Sequence, residues 1–220
     1  MATSETARRV KANSPAPGAV AVAQRRRGAA LERAILAAAF AEVSHVGYAA
    51  FSVESVAARA RTGKASIYRR WPTKAELVLD ALDAELPSPR DIGLGPDCHI
   101  DESVTTEQAL HRIGETIVRV LSSPAGAAMR AVKLEAVDDL KLADLIDQRF
   151  HEPRRAALLG ILERGIARGE VRPDAATPVV ADVLPAMLVH RMLLTNEPIS
   201  ADEVHNAISL VMIPLVQAHG

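Results

Sequence analysis

The chain has 220 residues, 49% of them apolar and only 3% aromatic, so it can bury a sizeable core and favours helices over sheets. Its single cysteine, Cys98, excludes an intrachain disulfide and a thiolate metal site and suits a cytoplasmic location. No stretch approaches 18 uncharged apolar residues, so no membrane span is expected. The net charge of −1 conceals an asymmetry: residues 1–74 carry 13 Lys and Arg against 4 Asp and Glu, and residues 75–220 carry 13 against 23. A basic front and an acidic remainder point to a polyanionic partner for the first part alone.

Residues 1–27 mix Ala, Pro, Ser and Arg without period and read as a flexible basic arm. Arg25, Arg26 and Arg27 end it, either to rest on phosphates or enter a minor groove, or simply to solubilise the chain. Apolar Leu31, Ile35, Ala38, Ala39 and Val43 then recur at helical steps, predicting a first helix over about 29–44 that stops at Gly47. Ser52 is an N-cap for a second helix with Val53, Val56, Ala57 and Ala60 inward. A short third helix covers about 63–70 and ends at Trp71-Pro72. Thr73 and Glu76 form a capping box for a fourth, with Leu77, Val78, Ala81 and Leu82 on its apolar face.

A Pro-, Gly- and Asp-rich loop is expected over 87–100. Helices follow near 103–122, 124–137 and 139–168, the last broken or kinked where Pro153 removes a donor. Two strongly apolar helices close the chain, about 176–195 and 201–218.

Two short helices, a tight turn and a basic third segment have the geometry that lays one helix in a DNA major groove. In that segment Ala65 and Ser66 are small enough for close approach, Ile67 anchors the helix, and Lys64, Tyr68 and Arg69 point outward.

The run Thr62-Gly63-Lys64-Ala65-Ser66-Ile67-Tyr68-Arg69-Arg70-Trp71-Pro72-Thr73-Lys74 closely resembles the helix-turn-helix of the TetR family of repressors. Ile35 to Phe40, Gly47-Tyr48 and Ser52 to Ala57 are similar to that family's first two helices, so the resemblance covers residues 28–82. Gly169 to Asp174 is similar to the connector before its last two helices. The resemblance implies that Lys64, Ala65, Ser66 and Tyr68 face DNA, with Tyr68 and Lys74 on phosphates and Ser52 near the backbone. Arg69 and Thr73 complete the candidate DNA-contact set. Arg61 and Thr62 depart from the family's usual Gly and Val, and a left-handed turn residue other than Gly costs about 1 kcal/mol or more.

Nothing points to catalysis. The seven histidines are scattered with no i, i+4 pair, and there is no nucleophile elbow, phosphate loop or dinucleotide fingerprint. No enzyme activity, metal or cofactor is expected.

The fold class that follows is all-α: an N-terminal three-helix helix-turn-helix DNA-binding domain (28–74, after the arm 1–27) plus a C-terminal helical ligand-binding and dimerisation domain (75–220). The last two helices are apolar nearly all round, which favours a homodimer interface at Val180, Leu184, Met187, Leu188, Ile208, Val211, Met212 and Leu215. The resemblance also implies a pocket for a small-molecule effector among residues 103–168, with Met129 and Phe150 as lining candidates and His111, with Arg112, to orient a polar group. The expected function is a ligand-released repressor on palindromic operator DNA. The alternatives are an activator of the same architecture or a helical interaction module without DNA binding.

Overall fold

The computed structural model describes residues 17–88, 104–194 and 199–218, with side chains from Gly28 onward. The reading of Arg25 to Arg27 as DNA contacts and most of the 87–100 loop therefore lie outside the described side chains. Helix α1 (Pro17–Val46) begins at Pro17, so residues 17–27 of the expected flexible arm are helical. Proline suits a first turn because its missing N–H has no partner there. The chain continues as α2 (Val53–Arg59), α3 (Lys64–Tyr68), α4 (Lys74–Asp83), α5 (Thr106–Leu121) and α6 (Pro124–Glu135). After these come α7 (Leu140–Ile146), α8 (Glu152–Ala167), α9 (Pro178–Leu194), α10 (Ala201–Ala207) and α11 (Ile213–Val216). Among the described residues there is no strand, only an isolated antiparallel bridge between Val171 and Gln217.

Local chemistry explains the helix starts. Ser52, Thr73, Thr105, Ser123, Asp139 and Ser200 each cap a helix through a side-chain oxygen that accepts a backbone N–H, relieving one of the four orphan donors. Two prolines shape the rest. Pro153 and Pro214 stand at the second position of α8 and α11, and each is preceded by one wide π-helical turn, Asp147–His151 and Ile208–Met212. A proline ring clashes with the carbonyl four residues back, and the wider turn relieves that clash. The break expected at Pro153 is thus a bulge within one continuous helical path from Leu140 to Ala167.

The core has two parts. One joins Ile35, Val56, Ile67, Trp71, Leu77 and Leu82 of the first four helices to Met129, Val132, Leu142, Ile146 and Phe150. The other packs α5, α8 and α9 to α11 around Leu110, Ile161, Leu162, Leu184 and Ile208. Apolar packing therefore runs unbroken across residue 75 from the helix-turn-helix into α6 and α7.

Candidate DNA-binding surface and ligand cavity

Helices α2 and α3 are joined by a Schellman turn: Thr62 N–H bonds the Ala57 carbonyl at 2.9 Å and Arg61 N–H the Ala58 carbonyl at 3.2 Å. Arg61 takes the left-handed position with φ +51°. The turn keeps its handed geometry although no glycine occupies it.

Ile67 is fully buried and roots α3 in the core, as its apolar character predicts. On the other side Lys64, Ala65, Tyr68 and Arg69 are exposed and Ser66 half-buried. Lys64 Nζ pairs with Glu54 on α2 at 2.7 Å, which raises the Lys64 pKa and lowers that of Glu54. The Ser66 hydroxyl and carbonyl both accept from Arg70 Nη1, at 3.1 and 2.9 Å.

Ser52 and Thr73 carry out their capping roles. Ser52 Oγ accepts from Ser55 N–H at 3.4 Å, and Thr73 completes its box with Glu76. Lys74 Nζ sits 4.3 Å above the Tyr48 ring and donates to the Ala49 carbonyl at 3.2 Å. Burial lowers its pKa. The eight candidates lie on α3, at the start of α4 and at the caps of α2 and α4; α2 packs against α3, and Lys74 is tied by its bond to Ala49 to the segment before α2.

The second half holds a cavity of about 430 Å³ between α5, α6, α8 and α9, closed at one edge by Leu86 and Pro87 after α4. Met129 and Phe150 line it. His111 does not: it stacks on His205 with ring centroids 4.7 Å apart, beside a separate cavity of about 220 Å³. Its position on α5 turns it toward α10, and Arg112 is exposed.

The large cavity contains polar residues that the sequence reading did not single out. Lys133 Nζ lies 2.7 Å from His151 Nε2, and His151 Nδ1 lies 3.2 Å from Asp147. Burial brings the Lys133 pKa down to about 8. Burial, then the Lys133 charge, lowers that of His151. Arg154 donates to the carbonyls of Phe150 at 3.0 Å and Pro87 at 3.3 Å. A lysine one turn after Met129, within an apolar run, was the available signal.

The expected interface set divides. Val180, Leu184, Leu188, Ile208 and Met212 fill the protomer's own core, and Leu188 and Met192 also wall the cavity. At 9% exposure or less within the protomer, these side chains offer a partner little area. Met187 and Val211 are exposed and Leu215 is half-buried, while Val179, Leu194 and Leu210 add apolar surface on the same helices and the π turn.

Between the reading surface and the cavity stands Asp80 on α4. One carboxylate oxygen accepts from Trp71 Nε1 at 2.6 Å, and the other pairs with Arg149 in the π turn beside Phe150 and His151. No helix among the described residues is long and apolar enough to cross a membrane.

Comparison with known proteins agrees with this architecture. Residues 35–81 match the family model of bacterial regulatory proteins, tetR family, and residues 101–211 match the tetracyclin repressor-like C-terminal domain. An uncharacterized HTH-type transcriptional regulator of Mycobacterium tuberculosis is 33% identical over 183 residues, covering 83% of this chain and 86% of that one. The DNA-binding transcriptional repressor TetR of Mycobacteroides abscessus is 33% identical over 168 residues, covering 76% and 85%. Among solved structures, a TetR-family regulator from Mesorhizobium loti has a TM-score of 0.64 at 20% identity, covering 87% of this chain and 99% of that one. A regulator from Saccharomonospora viridis in complex with choline has a TM-score of 0.59 at 19% identity, covering 86% and 98%. With both halves matched in order and a 33% relative spanning most of its length, this chain belongs to the TetR family of helix-turn-helix transcriptional regulators.

Proposed function

We propose that the protein is a repressor that binds a palindromic operator as a homodimer in the cytoplasm and leaves it when a small effector fills the 430 Å³ cavity. Residues 28–74 form the reading head and residues 75–220 the effector and dimer domain. In this reading Lys64, Ala65 and Ser66 approach the groove, while Tyr68 and Lys74 meet phosphates and Ser52, Arg69 and Thr73 lie along the backbone. Met129 and Phe150 belong to the effector site. The outward apolar residues Met187, Val211, Val179 and Leu210 carry the two-fold contact, consistent with closed dimers on palindromic DNA.

The observation that carries the proposal is the shared carboxylate of Asp80, bonded on one side to Trp71 at the end of the reading segment and on the other to Arg149, next in the π turn to the cavity-lining Phe150 and His151. A displacement of the π turn by an effector reaches α3 through that residue and α4. The relative named as a repressor and the structural neighbour with choline support the two halves of this reading. Linkage requires the effector to weaken DNA binding as much as DNA weakens effector binding.

The test is selection of bound sequences from a random DNA pool by the purified protein, followed by titration of small molecules against the selected site. A two-fold palindrome released by a cavity-binding compound is the expected result. A ligand that occupies the cavity and leaves operator affinity unchanged overturns the release mechanism.

A further inference from the structure

The wall of the large cavity carries three cations, Lys133, Arg154 and Arg155, against one carboxylate, Asp182. Asp182 is already engaged, accepting from Arg155 Nε at 2.7 Å, so those two charges offset each other. Lys133 and Arg154 remain. Among the described residues neither has a carboxylate within ion-pair distance, and Asp83 on α4 acts on Arg154 only at longer range.

Their hydrogen bonds go to neutral groups. Arg154 donates to two backbone carbonyls and lies 5.3 Å from the centre of the Phe150 ring. Lys133 faces His151 Nε2. An ammonium can only donate, so Nε2 is the acceptor and Nδ1 carries the proton toward Asp147. His151 is therefore neutral, and two of the three Lys133 N–H groups have no acceptor among the described side chains. Burial leaves Lys133 with a pKa of about 8, so it stays largely charged at neutral pH.

Apart from Thr116 and His151 the remainder of the wall is apolar, including Ile113, Ile117, Val120, Leu158, Leu188 and Met192. The volume lies in the range of small-molecule sites, about 300–1,000 Å³. We propose that this cavity takes an amphiphile with an anionic head, a medium-chain carboxylate whose head lies between Lys133 and Arg154 and whose tail lies along the α5 and α9 side chains. The inference rests on the reading of the cavity as the effector site. A carboxylate supplies the counter-charge that neither cation finds among the described residues, and acceptors for the open Lys133 N–H groups, through charge-assisted hydrogen bonds that an alcohol makes weakly and a quaternary ammonium cannot make.

The experiment is calorimetric titration of the full chain with decanoate, decanol and decyltrimethylammonium, with the same compounds tested for operator release. Decanoate is expected to bind at least tenfold more tightly than decanol, with the cation weaker still. Lys133→Met should abolish the advantage of decanoate while leaving decanol binding intact, which shows that the cavity is still folded. Lys133→Arg should restore the advantage. Equal binding of the three probes, or a decanoate advantage that survives Lys133→Met, overturns the anionic-head inference and leaves the effector-site reading standing. If none of the three binds, the anionic-head inference is overturned, and the effector-site reading is judged separately by the operator-release screen.

Discussion

Trp71 and Asp80 are joined by a hydrogen bond of 2.6 Å from the indole N–H to the carboxylate, across the corner between the reading helix and α4. Trp71 is buried, so its N–H requires a partner, and the one it has also pairs with Arg149. The tail of the helix-turn-helix and the π turn that carries the cavity-lining Phe150 and His151 therefore share a single charged group.

Asp80→Asn keeps an acceptor for Trp71 and removes the charge that holds Arg149. Operator affinity without effector should change little, while the effector's influence on it should fall toward none from a coupling of about 5–150-fold. Arg149→Ala should have the same effect on coupling. Because both partners are partly exposed, it should cost no more than about 1 kcal/mol of stability. Operator titrations with and without effector check both variants.

The candidate DNA-facing residues are expected to divide by role. Lys64→Ala should alter sequence preference and free Glu54, whereas Lys74→Ala should weaken all sequences alike and reduce the log–log salt slope by about 0.9. Lys74→Ala also removes the ammonium from the Tyr48 ring. A salt series on two unrelated sequences separates the outcomes.

Arg61→Gly should stabilise the protein by about 0.5–1 kcal/mol, because φ +51° strains every residue with a Cβ and the exposed Arg61 side chain contributes little packing. Thermal unfolding measures it. In contrast, Gly126→Ala should destabilise severely, since a Cβ there would lie 2.3 Å from the Val120 carbonyl oxygen and 2.8 Å from Leu121 Cα.

Two pH dependences have opposite origins. The Arg168 hydrogen bond, with further bonds from Thr106, holds the Glu170 pKa down to about 2. Its contribution to stability is present above the ordinary carboxylate pKa and is lost as pH falls toward 2, so Glu170→Gln should flatten the acid limb of a stability–pH curve. For Lys133, folding lowers the pKa to about 8, so the unfolded chain binds the extra proton between pH 8 and 10.5 and stability should rise across that interval. Decanoate affinity should fall over the same rise as the ammonium is lost. The groups around Lys133 are the neutral His151 of the π turn, itself bonded to the Asp147 carboxylate, and the Arg154 cation from α8. Lys133→Met should remove both trends.

Much of this protein was legible in its sequence because the signals are local. Helical spacing of apolar residues, the caps at Ser52 and Thr73, the stop at Gly47 and the run from Thr62 to Lys74 are each decided within one or two turns of backbone. They were sufficient for the all-α class, the helix-turn-helix and the family. Arg61 shows the limit of even that reading: glycine is the residue a left-handed turn favours, yet the Schellman hydrogen bonds and the burial of Ile67 hold an arginine there.

What only tertiary structure decided is which side of an apolar helix faces what. Leu184, Leu188, Ile208 and Met212 lie on helices or turns apolar on nearly every face, so periodicity could not separate the inward face from the outward one, and packing against α5 and α8 turned them into the core. His111 and Lys133 are both polar residues on amphipathic helices, and only the packing of α5 against α10 and of α6 beside the π turn Asp147–His151 sends the first to His205 and the second into the cavity. The pairing of Asp80 with Arg149, 69 positions apart, depends on the contact of α4 with the helical path widened before Pro153. Local preferences carry no information about such distant partners, because the energy that selects them comes from burying both helices together.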